Sequence, residues 1–216
     1  MMEVWNEKAV EKSENALNQL KQLADFVIIG GWAVYLLTKA VKSLDIDIYM
    51  NYNEFFSAQA KLAEKGVYIT FNSQLKKYST KVEEIEIDIY TPDQCGLIVP
   101  CKDVFVNEWF EIVEGFKVIK VEPLILLKLS AESARKNTLK GFKDRVDILS
   151  LIIKSGVDKK VLTSLLDKYK VSKFKNRLLD VIRDSSDEYK YALQQSVIPG
   201  KLKKIKTGLI EKFRYL

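Results

Sequence analysis

The sequence predicts an α/β (α+β) protein, with a small mixed-sheet domain over residues 1–121 followed by a basic helical domain over 122–216. Period-two alternation, as in LDIDIYM and EEIEIDIY, recurs among helical patterns up to about Val121, and only helical patterns follow. Pro123 marks the change, because proline suits the first position of a helix. Charge divides along the same chain. Up to Ser133, 14 Lys and Arg stand against 20 Asp and Glu, whereas from Ala134 onward 21 stand against 9.

Taken in order, Ala9, Val10, Ala16, Leu17, Leu20 and Leu23 fall at helical spacing over 7–23. Phe26–Ile29 reads as a short buried strand that Gly30-Gly31 ends. Trp32–Val41 reads as a helix, and LDIDIYM as a strand. Asn53 is the expected N-cap of a helix reaching about Lys65, with Gly66 at its end. VYITF and the segment Lys76–Tyr90 read as strands, closed by the turn Thr91-Pro92-Asp93. Weaker strand signals follow at Leu97–Val99, Val104–Val106 and Phe116–Ile119. A helix is expected from Pro123, then others near 142–154, 158–168, 172–184, 187–194 and 200–214.

Composition narrows the chemistry. The 216 residues include no histidine, which excludes imidazole metal sites and histidine-based nucleophilic catalysis. Two cysteines, Cys95 and Cys101, are too few for a four-thiolate zinc site and read as reduced thiols. The N-terminus is charged and lacks a secretory pattern, and the longest apolar run, Phe26–Leu37, is too short to span a bilayer. These features predict a cytoplasmic protein with no membrane partner. The basic rear half fits either a solvated lysine-rich surface or a surface that attracts a polyanion such as RNA.

The chemistry concentrates on two strands. In DIDIY, Asp45 and Asp47 project to one side while Ile46 and Ile48 point to the core. EIDIY repeats the pattern, with Asp88 in the place of Asp47. If the strands are neighbours, Asp45, Asp47 and Asp88 converge. Three hard oxygen donors favour Mg²⁺ or Mn²⁺, in an arrangement suited to two-metal phosphoryl transfer. A solvated acidic strand face is the plainer alternative. Tyr49 and Tyr90 end these strands on the carboxylate side, where they could stack on a base. Trp32, Tyr35, Phe55, Phe56 and Phe142 read as core. Gly30 and Gly31 allow close backbone approach and leave helix N-terminal N–H groups for a phosphate. The chain has neither GxGxxG nor GxxxxGK[ST].

The spacing hGG-x13-DhDh, with hDh about forty residues later, resembles the signature of the DNA polymerase beta-like nucleotidyltransferase superfamily, here IIGGW, SLDIDIY and IEIDIY. The resemblance covers roughly residues 26–90. It implies that Asp45 and Asp47 bind the metals, that Asp88 holds the catalytic metal and helps activate the attacking hydroxyl, and that Gly30 and Gly31 contact the triphosphate. Ser43 stands where the family often has a phosphate-binding serine, and Lys42 where many relatives have arginine. Downstream, EPLILLKLSAESARKNTLKGFKDRVDILSLI is similar to a stretch of the abortive-infection, type IV toxin group. That similarity implies that Lys128 and Arg135, two turns apart on one helix face, grip phosphate ahead of Asp144 and Asp147. It also implies an antitoxin-like protein partner. An internal ion pair through Asp147 is the other reading of that stretch.

The expectation is a metal-dependent nucleotidyltransferase that moves NMP from an NTP to a hydroxyl, with an RNA end such as tRNA as the leading acceptor. A small-molecule or protein acceptor, and a non-catalytic nucleotide-binding descendant, are the alternatives.

Overall fold

The computed structural model describes residues 7–216, with side chains from Val10 onward. The opening Met1–Asn6, part of the expected amphipathic start, lies outside the described residues. The chain forms two compact units: Met1–Leu36 with Lys42–Lys120, and Leu37–Val41 with Val121–Leu216. Among the described residues, no helix is long and apolar enough to cross a membrane.

The first unit contains α1 (Glu7–Leu23), β1 (Val27–Ile29), the start of α2 (Gly30–Thr38), β2 (Ile46–Tyr49), α3 (Tyr52–Glu64), β3 (Thr70–Asn72), β4 (Lys77–Val82), β5 (Ile85–Tyr90), α4 (Cys101–Val106), β6 (Phe110–Val113) and β7 (Phe116–Ile119). Its strands form one mixed sheet in the order β3-β4-β5-β2-β1-β7-β6. The β2–β5 and β1–β7 pairs are parallel and the others antiparallel. Alternation gives β2 and β5 one apolar face, on which Ile46, Ile48, Ile87 and Ile89 are buried. Phe55 of α3 meets Tyr78 of β4, in register with Ile89, at a ring distance of 4.4 Å. The buried Trp32 indole donates to Ser13 Oγ at 2.8 Å, tying α2 to α1.

Several local expectations change for identifiable reasons. Lys76–Tyr90 is a hairpin, not one strand. Glu83 and Glu84 form its two-residue turn with φ of 49° and 72°, the mirror-type turn whose twist matches antiparallel strands. Glu84 therefore leaves the acidic strand face. Both turn side chains latch onto α1: Lys12 Nζ lies 2.7 Å from Glu84, and Gln19 donates to Glu83 at 2.6 Å. Glu114-Gly115 makes a similar turn between β6 and β7. The N-cap of α3 is Asn51, whose side chain accepts from Glu54 N; Asn53 is already helical. Leu97–Val99 forms no strand, and Val104–Val106 belongs to α4, where Val104 is buried. Phe56 is 60% exposed rather than core.

The second unit is helical: α5 (Val121–Ala134), α6 (Leu139–Lys154), α7 (Lys159–Lys168), α8 (Lys173–Asp184), α9 (Glu188–Leu193) and α10 (Pro199–Phe213). Pro123 is the third residue of α5 and not the first. Its missing N–H falls among the first four, which have no partner within a helix anyway. Thr138 caps α6, accepting from Gly141 N at 3.0 Å, which starts that helix three residues before its expected position. Helix α5 is apolar almost all round, with Leu124, Ile125, Leu126 and Leu129 buried, and α6, α7 and α8 pack about it. One charge cluster pins the bundle. Glu132 of α5, wholly buried, takes Arg177 of α8 at 2.6 Å through Nε and Arg145 of α6 at 3.3 Å. Arg145 also reaches Glu188 of α9 at 2.7 Å.

Candidate active site

The repeated DIDIY and EIDIY patterns lie side by side. Strands β2 and β5 are parallel neighbours in the register Ile46↔Ile87, Asp47↔Asp88, Ile48↔Ile89 and Tyr49↔Tyr90. Asp47 and Asp88 are thus direct cross-strand partners on the face opposite the isoleucines, and both are half-buried. Asp45 lies in the bend before β2 and is exposed.

The glycine turn closes over Asp47. β1 is antiparallel to β2, with Ile29 opposite Asp47, so the chain leaves β1 beside that aspartate. Helix α2 starts on Gly30 itself, at φ +65°. A Cβ at Gly30 would lie 2.2 Å from Asp47 Oδ2, so only glycine leaves that carboxylate room. Gly30→Ala combines a left-handed backbone with this clash and is expected to cost roughly 2–4 kcal/mol of stability, read by urea denaturation. Gly31 is the buried second residue of the helix.

Asp88 is held by its other neighbour, β4. Ser79, its register partner, donates from Oγ to Oδ1 at 2.8 Å, and the Lys77 ammonium donates to Oδ2. Among the described residues, no three carboxylate or thiolate side chains form a ready-made metal nest. The convergence expected of Asp45, Asp47 and Asp88 is therefore seen as an adjacent pair, Asp47 and Asp88, with Asp45 at the strand entrance. The residues nonetheless fit a hard divalent ion. The donors are carboxylate oxygens, Gly30 leaves a cradle that a Cβ would fill, and an ammonium already stands as a cation on Asp88.

The other sequence-selected residues have their own settings. Lys42 pairs with Glu14 of α1 at 2.6 Å, and that carboxylate raises its ammonium above the usual lysine value. Ser43 is buried in the loop before β2. Lys128 is buried in the second unit, 2.6 Å from Asp147 and 3.7 Å from Asp144. Burial pushes the Asp147 carboxyl up, and Lys128 opposes that shift. Arg135 holds Asp144 in a two-point contact at 2.6 and 2.9 Å. The KDxxD-like element is thus taken up by ion pairs inside the bundle. Tyr49 is not a stacking platform. It is fully buried, donates to Val99 O at 2.5 Å, and meets Tyr90 edge-on at 6.0 Å.

Lys77 and Ser79 are absent from the sequence-based site. The signal was present: a two-residue turn at Glu83-Glu84 puts Val82 opposite Ile85, and hence Ser79 opposite Asp88. Treating 76–90 as a single strand hid it.

No protein-family model and no curated protein sequence matches the chain. Among solved structures, it is similar to an antigenic nucleotidyltransferase-like protein from Paracoccidioides brasiliensis, with a TM-score of 0.54 and 14% identity, over 91% of this chain and 97% of that one. It is also similar to an H. pylori protein described as a nucleotidyltransferase candidate, with a TM-score of 0.51 and 16% identity, over 98% of both chains. At these identities the likeness is one of fold. The chain has the fold of the DNA polymerase beta-like nucleotidyltransferases, the superfamily that its glycine and aspartate motifs resemble.

Proposed function

We propose that the chain is a nucleotidyltransferase that transfers NMP from an NTP to an acceptor hydroxyl and releases pyrophosphate. The observation that carries this is the register Asp47↔Asp88 on adjacent parallel strands, with the Gly30 turn closing directly over Asp47.

Mg²⁺ or Mn²⁺, held by Asp47 and Asp88 with Asp45, would polarise the acceptor hydroxyl and offset the charge of the triphosphate. The chain supplies the rest. Gly30 and Gly31 open α2 and carry no side chain, so the backbone of a helix N-terminus, whose first N–H groups lack intrahelical partners, is open to phosphate oxygens. Ser79 fixes the Asp88 carboxylate from the side, so its orientation does not depend on the substrate. In the reaction the acceptor oxygen bonds the α-phosphorus, the bond from that phosphorus to the bridging oxygen of the β-phosphate breaks so that pyrophosphate leaves with that oxygen, and the hydroxyl proton passes to solvent.

For the acceptor we favour an RNA end, with tRNA the leading case. The support is the charge of the second unit, where Lys159, Lys160, Lys168, Lys170, Lys201 and Lys204 are all exposed. A toxin-like role with an antitoxin-like partner, in the cytoplasm, accords with the motif resemblance. The test is incubation with each labelled NTP, Mg²⁺ or Mn²⁺ and total cellular RNA, resolved on a gel. Label is expected to move with tRNA, and binding of that RNA to weaken steeply as salt rises. Label on a small alcohol or a protein, with little salt dependence, would replace the RNA acceptor; no transfer to any acceptor would overturn the enzymatic reading.

A further inference from the structure

Asp88 already carries a cation supplied by the chain. Lys77 and Asp88 are 14% and 16% exposed at their side chains, so this is not a surface pair weakened by water and salt. Lys77 reaches Asp88 from β4, and Ser79 takes the other carboxylate oxygen. Both oxygens of Asp88 are thereby engaged by the protein. Its partner across β2 is another carboxylate, Asp47, and like charges placed directly opposite on neighbouring strands repel. The Lys77 ammonium offsets that repulsion. A divalent ion that uses Asp88 must compete for the same oxygen.

We propose that Lys77 is a positioning residue whose ammonium is the resident counter-cation of Asp88, and that divalent metal enters the Asp47–Asp88 pair by exchange with it. This rests on the metal-dependent reading above and adds a residue to it. The exchange has two consequences. The metal-free sheet tolerates two adjacent carboxylates, and metal affinity in the absence of nucleotide is held down. The long, flexible lysine stem allows the ammonium to leave without moving the strand.

The test uses the full chain and Mn²⁺ alone, titrated by electron paramagnetic resonance of the free ion. Lys77→Met is expected to bind Mn²⁺ about tenfold more tightly than wild type, because the competing charge is gone. Lys77→Arg, which keeps the charge, is expected to stay within about threefold of wild type. Lys77→Met should also melt lower than wild type without metal and recover that loss when saturated with Mn²⁺. A measurement on the wild type alone guards against misfolding of the variants. Acylation of the Lys77 amine, followed by peptide mass spectrometry, should rise severalfold on saturation with Mg²⁺. Mn²⁺ binding in Lys77→Met that equals or falls below wild type, or Lys77 acylation unchanged by Mg²⁺, would overturn the exchange. If that happens while Asp47→Asn still abolishes Mn²⁺ binding, the metal-dependent reading stands. If wild type and Lys77→Met both fail to bind Mn²⁺, the metal reading itself is overturned, and the exchange with it.

Discussion

Asp47→Asn is expected to lower nucleotidyl transfer on the order of 10³-fold, while the protein melts at or slightly above the wild-type temperature. The two outcomes have one cause. Asp47 and Asp88 are cross-strand partners on parallel strands; like charges in that position repel, on the scale of about 0.2–1 kcal/mol that cross-strand pairs have, and Lys77 offsets part of this. Asparagine keeps the shape and removes one charge, so the repulsion goes. For a chain of this size, 1 kcal/mol corresponds to roughly 2–4 °C of melting temperature, so a rise of up to about 4 °C is expected. Chemistry suffers because a neutral amide binds a divalent ion far less strongly than a carboxylate. A purely structural acidic strand face gives the opposite signature, a stability change with transfer intact. Rate with labelled NTP and a thermal melt on the same preparation separate the two.

The second large effect lies in the helical unit. Glu132→Gln is expected to cost about 3 kcal/mol, because it takes from the largely buried Arg177 its nearest counter-charge. Glu132 is fully buried and receives both Arg177 and Arg145. The two arginines are not equally exposed to the loss. Arg145 retains Glu188 at 2.7 Å and the Lys136 carbonyl at 2.8 Å. Among the described residues, Arg177 retains Asp180, at 4.0 Å, and the more distant charge of Asp184. Glu132→Gln combined with Arg177→Met should therefore recover much of the stability, since the charge and its partner go together. An unfolding free energy from chemical denaturation within about 1 kcal/mol of wild type for Glu132→Gln alone would show that Arg177 finds another partner.

Much of this molecule can be read before any coordinates. The Ile alternation in DIDIY and EIDIY specifies two strands with one apolar face, because a period of two leaves no other way to bury those isoleucines. The glycine pair marks the strand-to-helix turn, since a side chain at Gly30 has no room. Other elements were open to misreading where local propensity and tertiary packing compete. Val104–Val106 is β-branched and aromatic in composition, yet it is helical because Val104 and Cys101 are buried from α4. Glu83-Glu84 carries none of the usual Asn-Gly turn chemistry, and its side chains meet Lys12 and Gln19 of α1, partners more than sixty residues away in sequence.

The sequence by itself determined the α/β start, the helical end, the glycine turn and the two aspartate strands, because each depends on periodicity or on backbone freedom within a few residues. Only the tertiary structure decided which charges meet. Asp47 faces Asp88, Lys77 neutralises Asp88, and Lys128 and Arg135 are drawn to Asp147 and Asp144. Pairing between charged side chains depends on strand order and helix packing, and electrostatic attraction has no period along the chain from which it could be read.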